Sequence, residues 1–231
     1  MQISRKQSGF TLIEIAIVLV IIGLLLGGVL KGQELINSAK VKNFAQDFKT
    51  VPLYIYGYQD KYKALPGDDA NAAVHLASAV QSSGVTLLTP TAATLGNGTL
   101  NGVYNSTSNT DETVAFWQQV RLAGLAAGPT GFTAASLASD LPINADGGQI
   151  GIQSVPPIKG MTGSYFVCSE GIQGKFALQL DTTMDDGNPA TGSMRVAVAV
   201  KPWTTALDFV TLPGGANPIV DGNTYVVCLS M

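Results

Sequence analysis

Two hydrophobic patterns follow one another along the first 63 residues. From Phe10 to Leu30 the sequence reads FTLIEIAIVLVIIGLLLGGVL, in which Glu14 is the one ionisable side chain. A run of this length can cross a bilayer as a single helix. After Lys31 the apolar positions thin to Val41, Phe44, Phe48, Val51, Ile55, Tyr58 and Tyr62, spaced alternately by three and four. That is one stripe of an amphipathic helix. The two patterns together predict a helix from about residue 10 to 63, roughly 80 Å long at 1.5 Å per residue. Pro52 should bend it, and the run Leu65 to Asp69, LPGDD, should end it.

Further along, a short helix around His75 is expected, capped by Asp68 or Asp69. Residues 78 to 110 are rich in Ser, Thr, Gly, Ala and Asn with almost no charge, and read as loop. A second long helix is expected from Glu112 to about Ala127, capped by Thr110 or Asp111 and closed by Gly128-Pro129, with Phe116, Trp117, Val120 and Ala123 on its core face. Strand patterns appear at Gln149 to Val155, Ser164 to Cys168, Arg195 to Lys201 and Thr224 to Leu229. From Ile172 to Met184 apolar residues recur both every two and every four positions, and the four-residue recurrence favours a short helix.

Composition sharpens this plan. The mean hydropathy of +0.26 is unusual for a soluble protein, and the apolar run at residues 10–30 accounts for nearly all of it. The 13 Lys and Arg against 16 Asp and Glu give a net charge of −3, which excludes a global basic field for nucleic acid. Two cysteines in 231 residues exclude a disulfide-dense scaffold. Arg5 and Lys6 precede the apolar run, so its basic end belongs in the cytoplasm and the rest of the chain outside it. There is one histidine, no GxSxG and no phosphate loop, so the chain is not expected to be an enzyme.

Glu14 is the anomaly. A carboxylate within an apolar span costs roughly 2.5 to 3.5 kcal/mol on insertion scales, and calls for a partner. A cut between Gly9 and Phe10 would place a cationic α-amine four residues before Glu14, in the same chain or a neighbour. The alternative is a glutamate in the headgroup region at the start of a tilted anchor.

A short basic leader ending in Gly9, then Phe10-Thr11-Leu12-Ile13-Glu14 and a long apolar run, resembles the class III signal of type IV prepilins and type II secretion pseudopilins. The resemblance covers residues 1 to about 69 by sequence and the rest by architecture. It implies cleavage after Gly9 by a prepilin peptidase, N-methylation of Phe10, and a helix kept in the mature protein, with Glu14 neutralising the N-terminal amine of an adjacent subunit. It also implies an α+β fold: a long N-terminal helix, half membrane-spanning and half amphipathic, packed on a C-terminal antiparallel sheet. The expected organisation is a leader at 1–9, an assembly segment at 10–31, the amphipathic half at 32–65 and a globular head at 66–231. Many pilins have a proline in the apolar half; here there is none before Pro52, and Gly27-Gly28 falls in that stretch instead.

In functional terms the resemblance implies a subunit that enters the inner membrane as a single pass, meets a peptidase/methyltransferase and an assembly platform, and polymerises into a homo-oligomeric helical filament. The runner-up is a periplasmic pseudopilin of a secretion or DNA-uptake machine; a reading of a different class is an extracytoplasmic binding module on a membrane anchor. Outside the cytoplasm Cys168 and Cys228, in separate expected strands, read as a disulfide, against the alternative of two buried thiols. No cofactor is expected, with one candidate exception. Asp181, Asp185, Asp186 and Asn188 offer hard oxygen ligands of the kind calcium takes, against the alternative of a solvated Asp-Gly turn.

Overall fold

The computed structural model describes residues 11–231 except 92, 134, 200–202 and 204. The leader, Gly9 and Phe10 lie outside the described residues, as does the end of the strand expected at 195–201. Internal contacts divide the chain into two compact units, Met1–Lys40 and Val41–Met231.

Helix α1 (Leu12–Tyr62) begins in the first unit and ends in the second. In the first unit every residue from Thr11 to Lys31 is exposed, and the helix is long and apolar enough to cross a membrane. In the second unit the same helix buries Val41, Phe44, Phe48, Val51, Ile55 and Tyr58, the stripe the spacing predicts. Pro52 lies inside α1 without ending it. The helix stops where Lys63 adopts a left-handed φ of 57°, just before Pro66 forbids a further turn.

The remaining helices are α2 (Ala72–His75), α3 (Ala77–Ser83), α4 (Glu112–Leu122), α5 (Leu137–Asp140) and α6 (Gly174–Met184). Strands β1 (Ile150–Gln153), β2 (Phe166–Gln173), β3 (Met194–Ala197) and β4 (Thr224–Ser230) form one antiparallel sheet in the order β1-β2-β4-β3. The α+β arrangement of long N-terminal helix and C-terminal antiparallel sheet is thus present.

Alternation along β2 and β4 sends side chains to both faces of the sheet. Val167 and Val227 join Phe44 and Phe48 of α1, Phe116 of α4 and Phe176 of α6 in the main core. Phe166, Cys168, Val226 and Cys228 face a smaller core with Tyr104 and Ile158. Covering both faces explains why the strands read as almost continuous apolar runs.

Four boundaries differ from expectation, each for a local reason. Strand β2 runs five residues beyond Cys168, because a bulge between Ser169 and Ile172, with Gly171 at φ 73°, carries the polar Ser-Glu-Gly stretch within the ladder. Ile172 consequently belongs to β2, and α6 starts at Gly174. Helix α4 stops at Leu122 rather than Ala127: Gly124, at φ 77°, turns the chain before Gly128-Pro129 is reached. Strand β3 ends at Ala197, beyond which Val198 is half exposed and the β4 pairing is lost.

Caps differ as well. Asp111 occupies the N-cap of α4 but its carboxylate accepts the Ser106 hydroxyl instead of a helix amide. Neither Asp68 nor Asp69 caps α2, whose N-cap is Asn71. Asp68 reaches across to the amides of Gly96, Asn97 and Gly98, and Asp69 accepts the Asn71 amide.

Candidate assembly and cation sites

The start of α1 explains part of Glu14. Its Oε2 accepts the Thr11 amide at 2.7 Å and the Thr11 hydroxyl at 2.9 Å, while the Glu14 amide donates to Thr11 Oγ1 at 3.3 Å. This is a capping box: two amides that the first helical turn leaves without partners are satisfied reciprocally. The sequence signal, Thr-x-x-Glu ahead of an apolar run, is present in Thr11-Leu12-Ile13-Glu14, and a reading of Glu14 as a charge in an apolar span misses it. Glu14 thus has a structural task within its own chain through Oε2, and among the described residues no donor meets Oε1.

Beyond that turn the described stem offers apolar surface and little else. Leu12 is 93% exposed, and no large apolar side chain from there to Leu30 is exposed by less than 46%. Lys31 and Glu34, paired at 2.6 Å, mark where charge resumes. At roughly 25 cal/mol per Å² of apolar area, covering such a surface is a strong driving force in water. A surface of this kind suits a membrane anchor.

In the second unit Cys168 and Cys228 stand directly opposite each other across β2 and β4, and are joined in a disulfide with both residues fully buried. The bridge ties the last strand to the centre of the sheet and closes a span of 60 residues.

The acidic run after α6 converges. Carboxylate oxygens of Asp181, Asp185 and Asp186 lie within 4.8 Å of one another. Asp181 sits in the last turn of α6 with no exposed surface; its Oδ1 accepts the Gly187 amide at 2.7 Å, and its Oδ2 is buried with no partner among the described residues. Asp185 accepts the Ser193 hydroxyl and, at 2.7 Å, the Met194 amide that opens β3. Asp186 accepts the Asn188 amide and the Thr191 hydroxyl. Asn188, the fourth expected ligand, turns its side-chain oxygen to the Ala190 amide.

Burial pushes the Asp181 carboxyl up to about 6; the Gly187 and Asn188 amides oppose this, while the charges of Asp186 and Asp185 add to it. An orphaned buried oxygen beside two more carboxylates is the arrangement a hard divalent cation relieves. The loop is shaped tightly around it: Gly192 has φ 71°, and a Cβ there would run into the Asp185 carboxylate. The convergence of the three aspartates is compatible with calcium.

Of the remaining aromatic cluster on α1, Tyr58 is buried, Tyr56 is exposed and Tyr54 packs edge-on against Trp117 at 6.4 Å. These are core and boundary contacts.

Residues 4–30 match the family model described as prokaryotic N-terminal methylation motif. No curated protein matches the chain.

Proposed function

Residues 4–30 carry the class III signal peptide of type IV pilins and pseudopilins, and from that premise we propose that the chain is a structural subunit of a type IV pilus-like filament. The subunit enters the inner membrane through the apolar half of α1, is cut after Gly9, is methylated at Phe10 and then joins a helical homopolymer through that helix. The domain plan of leader 1–9, assembly segment 10–31, amphipathic helix 32–65 and head 66–231 fits this order of events. Its partners are a prepilin peptidase/methyltransferase and an assembly platform, and its final location is outside the inner membrane.

The observation that carries this reading is the exposed apolar surface from Ile15 to Leu30. A membrane covers it before assembly and neighbouring helices cover it afterwards. Glu14 selects the register: a neighbour's α-amine at Oε1 completes a carboxylate that Thr11 already engages at Oε2.

Two substitutions separate the roles of Glu14. Glu14→Gln keeps the acceptor for the Thr11 amide but removes the charge, whereas Glu14→Ala removes both. A filament subunit is processed normally in either variant and fails to assemble in both. Normal assembly of Glu14→Gln would mean that capping, and not charge, is what Glu14 supplies.

The head also takes calcium at Asp181, Asp185 and Asp186. The ion would occupy the unpartnered Oδ2 of Asp181 and hold the α6–β3 turn through Asp185. At a hundred times its dissociation constant, a bound ion stabilises the native state by about 2.7 kcal/mol. Chelator should lower the melting temperature and calcium restore it; the absence of any response would dispose of the site.

A further inference from the structure

A cleft of about 630 Å³ opens in the second unit between the end of α1, the Leu65–Asn71 turn and α2, the loop at Gly96–Gly98, and Tyr165. Its size is that of small-molecule sites. We propose that it binds a neutral sugar ring, with His75 Nε2 as the hydroxyl acceptor.

The buried groups behind the cleft wall fix one imidazole. Asp69 is almost fully buried and accepts three hydrogen bonds: from the Asn71 amide to Oδ1 at 2.9 Å, and from the Tyr58 hydroxyl at 2.8 Å and His75 Nδ1 at 2.7 Å to Oδ2. A carboxylate only accepts, so Nδ1 carries a proton; when the ring is uncharged, its lone pair lies at Nε2. The ring plane is held as well, by stacking on Tyr62 at 5.3 Å and 18°. The His75 side chain keeps 27% of its surface exposed, and among the described residues Nε2 finds no hydrogen-bond partner.

The charges around the cleft select the ligand class. Asp69 accepts the three hydrogen bonds given above. Asp68, the other carboxylate of the cleft, accepts the amides of Gly96, Asn97 and Gly98 and thereby builds the opposite wall. Lys63 donates to Asp60. Besides these charges the cleft offers a ligand the imidazole, the side-chain amides of Gln59 and Asn71, and the ring of Tyr165; the Tyr62 ring is taken by His75 and by Lys61. Amides and an acceptor nitrogen suit adjacent hydroxyls, and a phenol ring suits an apolar face of a pyranose. An anionic ligand would face two carboxylates, Asp68 and Asp69, against one lysine of the lining, Lys63, which already pairs with Asp60.

The test is saturation-transfer NMR on the full-length chain in detergent, with the methyl glycosides of glucose, galactose, mannose and N-acetylglucosamine, and with galacturonate as the charged counterpart. At least one neutral glycoside should receive saturation, its addition should shift the His75 Nε2 resonance, and galacturonate should bind at least about tenfold more weakly. His75→Phe keeps the stack on Tyr62 and removes the acceptor, and should weaken binding about tenfold or more. Gln59→Ala, outside the buried network, should weaken it as well and guards against a folding defect in the first variant. Absence of saturation for every neutral glycoside at about 10 mM, or binding unchanged in both variants, overturns the proposal.

Discussion

Residues 12–30 and residues 41–62 lie on one helix, yet they meet water in opposite ways. The first stretch leaves all its large apolar side chains exposed, whereas the second buries a stripe from Val41 to Tyr58 to 6% exposure or less. The second pattern has a period and the first has none. A periodic stripe can be covered by one sheet of the same chain, so the amphipathic half is complete in the monomer. A surface apolar all round needs neighbours on every side, which a single chain of this size does not provide. The difference separates folding from assembly: substitutions in the head should act on stability, and those in the stem on processing and polymerisation.

The largest effect expected is at the leader. Gly9→Val should abolish processing and filament formation while leaving the thermal unfolding of the head unchanged, read by fluorescence of Trp117 and Trp203, the two tryptophans of the chain. Next, Phe116→Ala, at a fully buried site, should destabilise the head by about 3–5 kcal/mol. Ile17→Ala, at an exposed stem site, should leave the melting of the head unchanged and lower only filament yield. A stem substitution that shifted the fluorescence transition as much as Phe116→Ala would erase the comparison.

Replacing Cys168 and Cys228 together by Ala should cost about 2–4 kcal/mol, given the 60-residue span that the bridge closes, measured by denaturant unfolding of the oxidised and substituted chains. The smallest effect concerns Asp47, on the head portion of α1, whose carboxyl burial pushes up to about 6. The native state then holds its proton more tightly than the unfolded chain does. Stability should fall as pH rises from about 4 to about 6 and level off above, by no more than about 3 kcal/mol. Asp47→Asn should reduce that slope and leave the part that Asp181 contributes in the same pH range; a slope unchanged in the variant would remove Asp47 as a cause.

Long-period features are legible in the sequence and short-range compensations are not. The three-four spacing marks the buried face of α1 residue by residue, and the class III signal rests on a few fixed positions around Gly9. Strand β2 reads short because Ser169, Glu170 and Gly171 interrupt alternation, and only the paired strand β4 reveals that a bulge absorbs them. The end of α4 is misplaced because Gly124 and Gly128 carry equal weight in one dimension. For the acidic run, residue types point to a hard cation, but the convergence of Asp181 with Asp185 and Asp186 depends on how the loop closes onto α6. Glu14 is legible as a charge and easily overlooked as a cap, because the cost of a carboxylate in an apolar span outweighs the signal of the threonine three residues before it.

Intact-mass measurement of the protein purified from its own filaments or membranes tests the central claim most directly. The expected chain lacks residues 1–9, begins at Phe10 and carries one added methyl group, with the two cysteines oxidised. A chain that retains Met1–Gly9, or one cut after the apolar run so that residues 10–30 are missing, would contradict the assignment as a filament subunit.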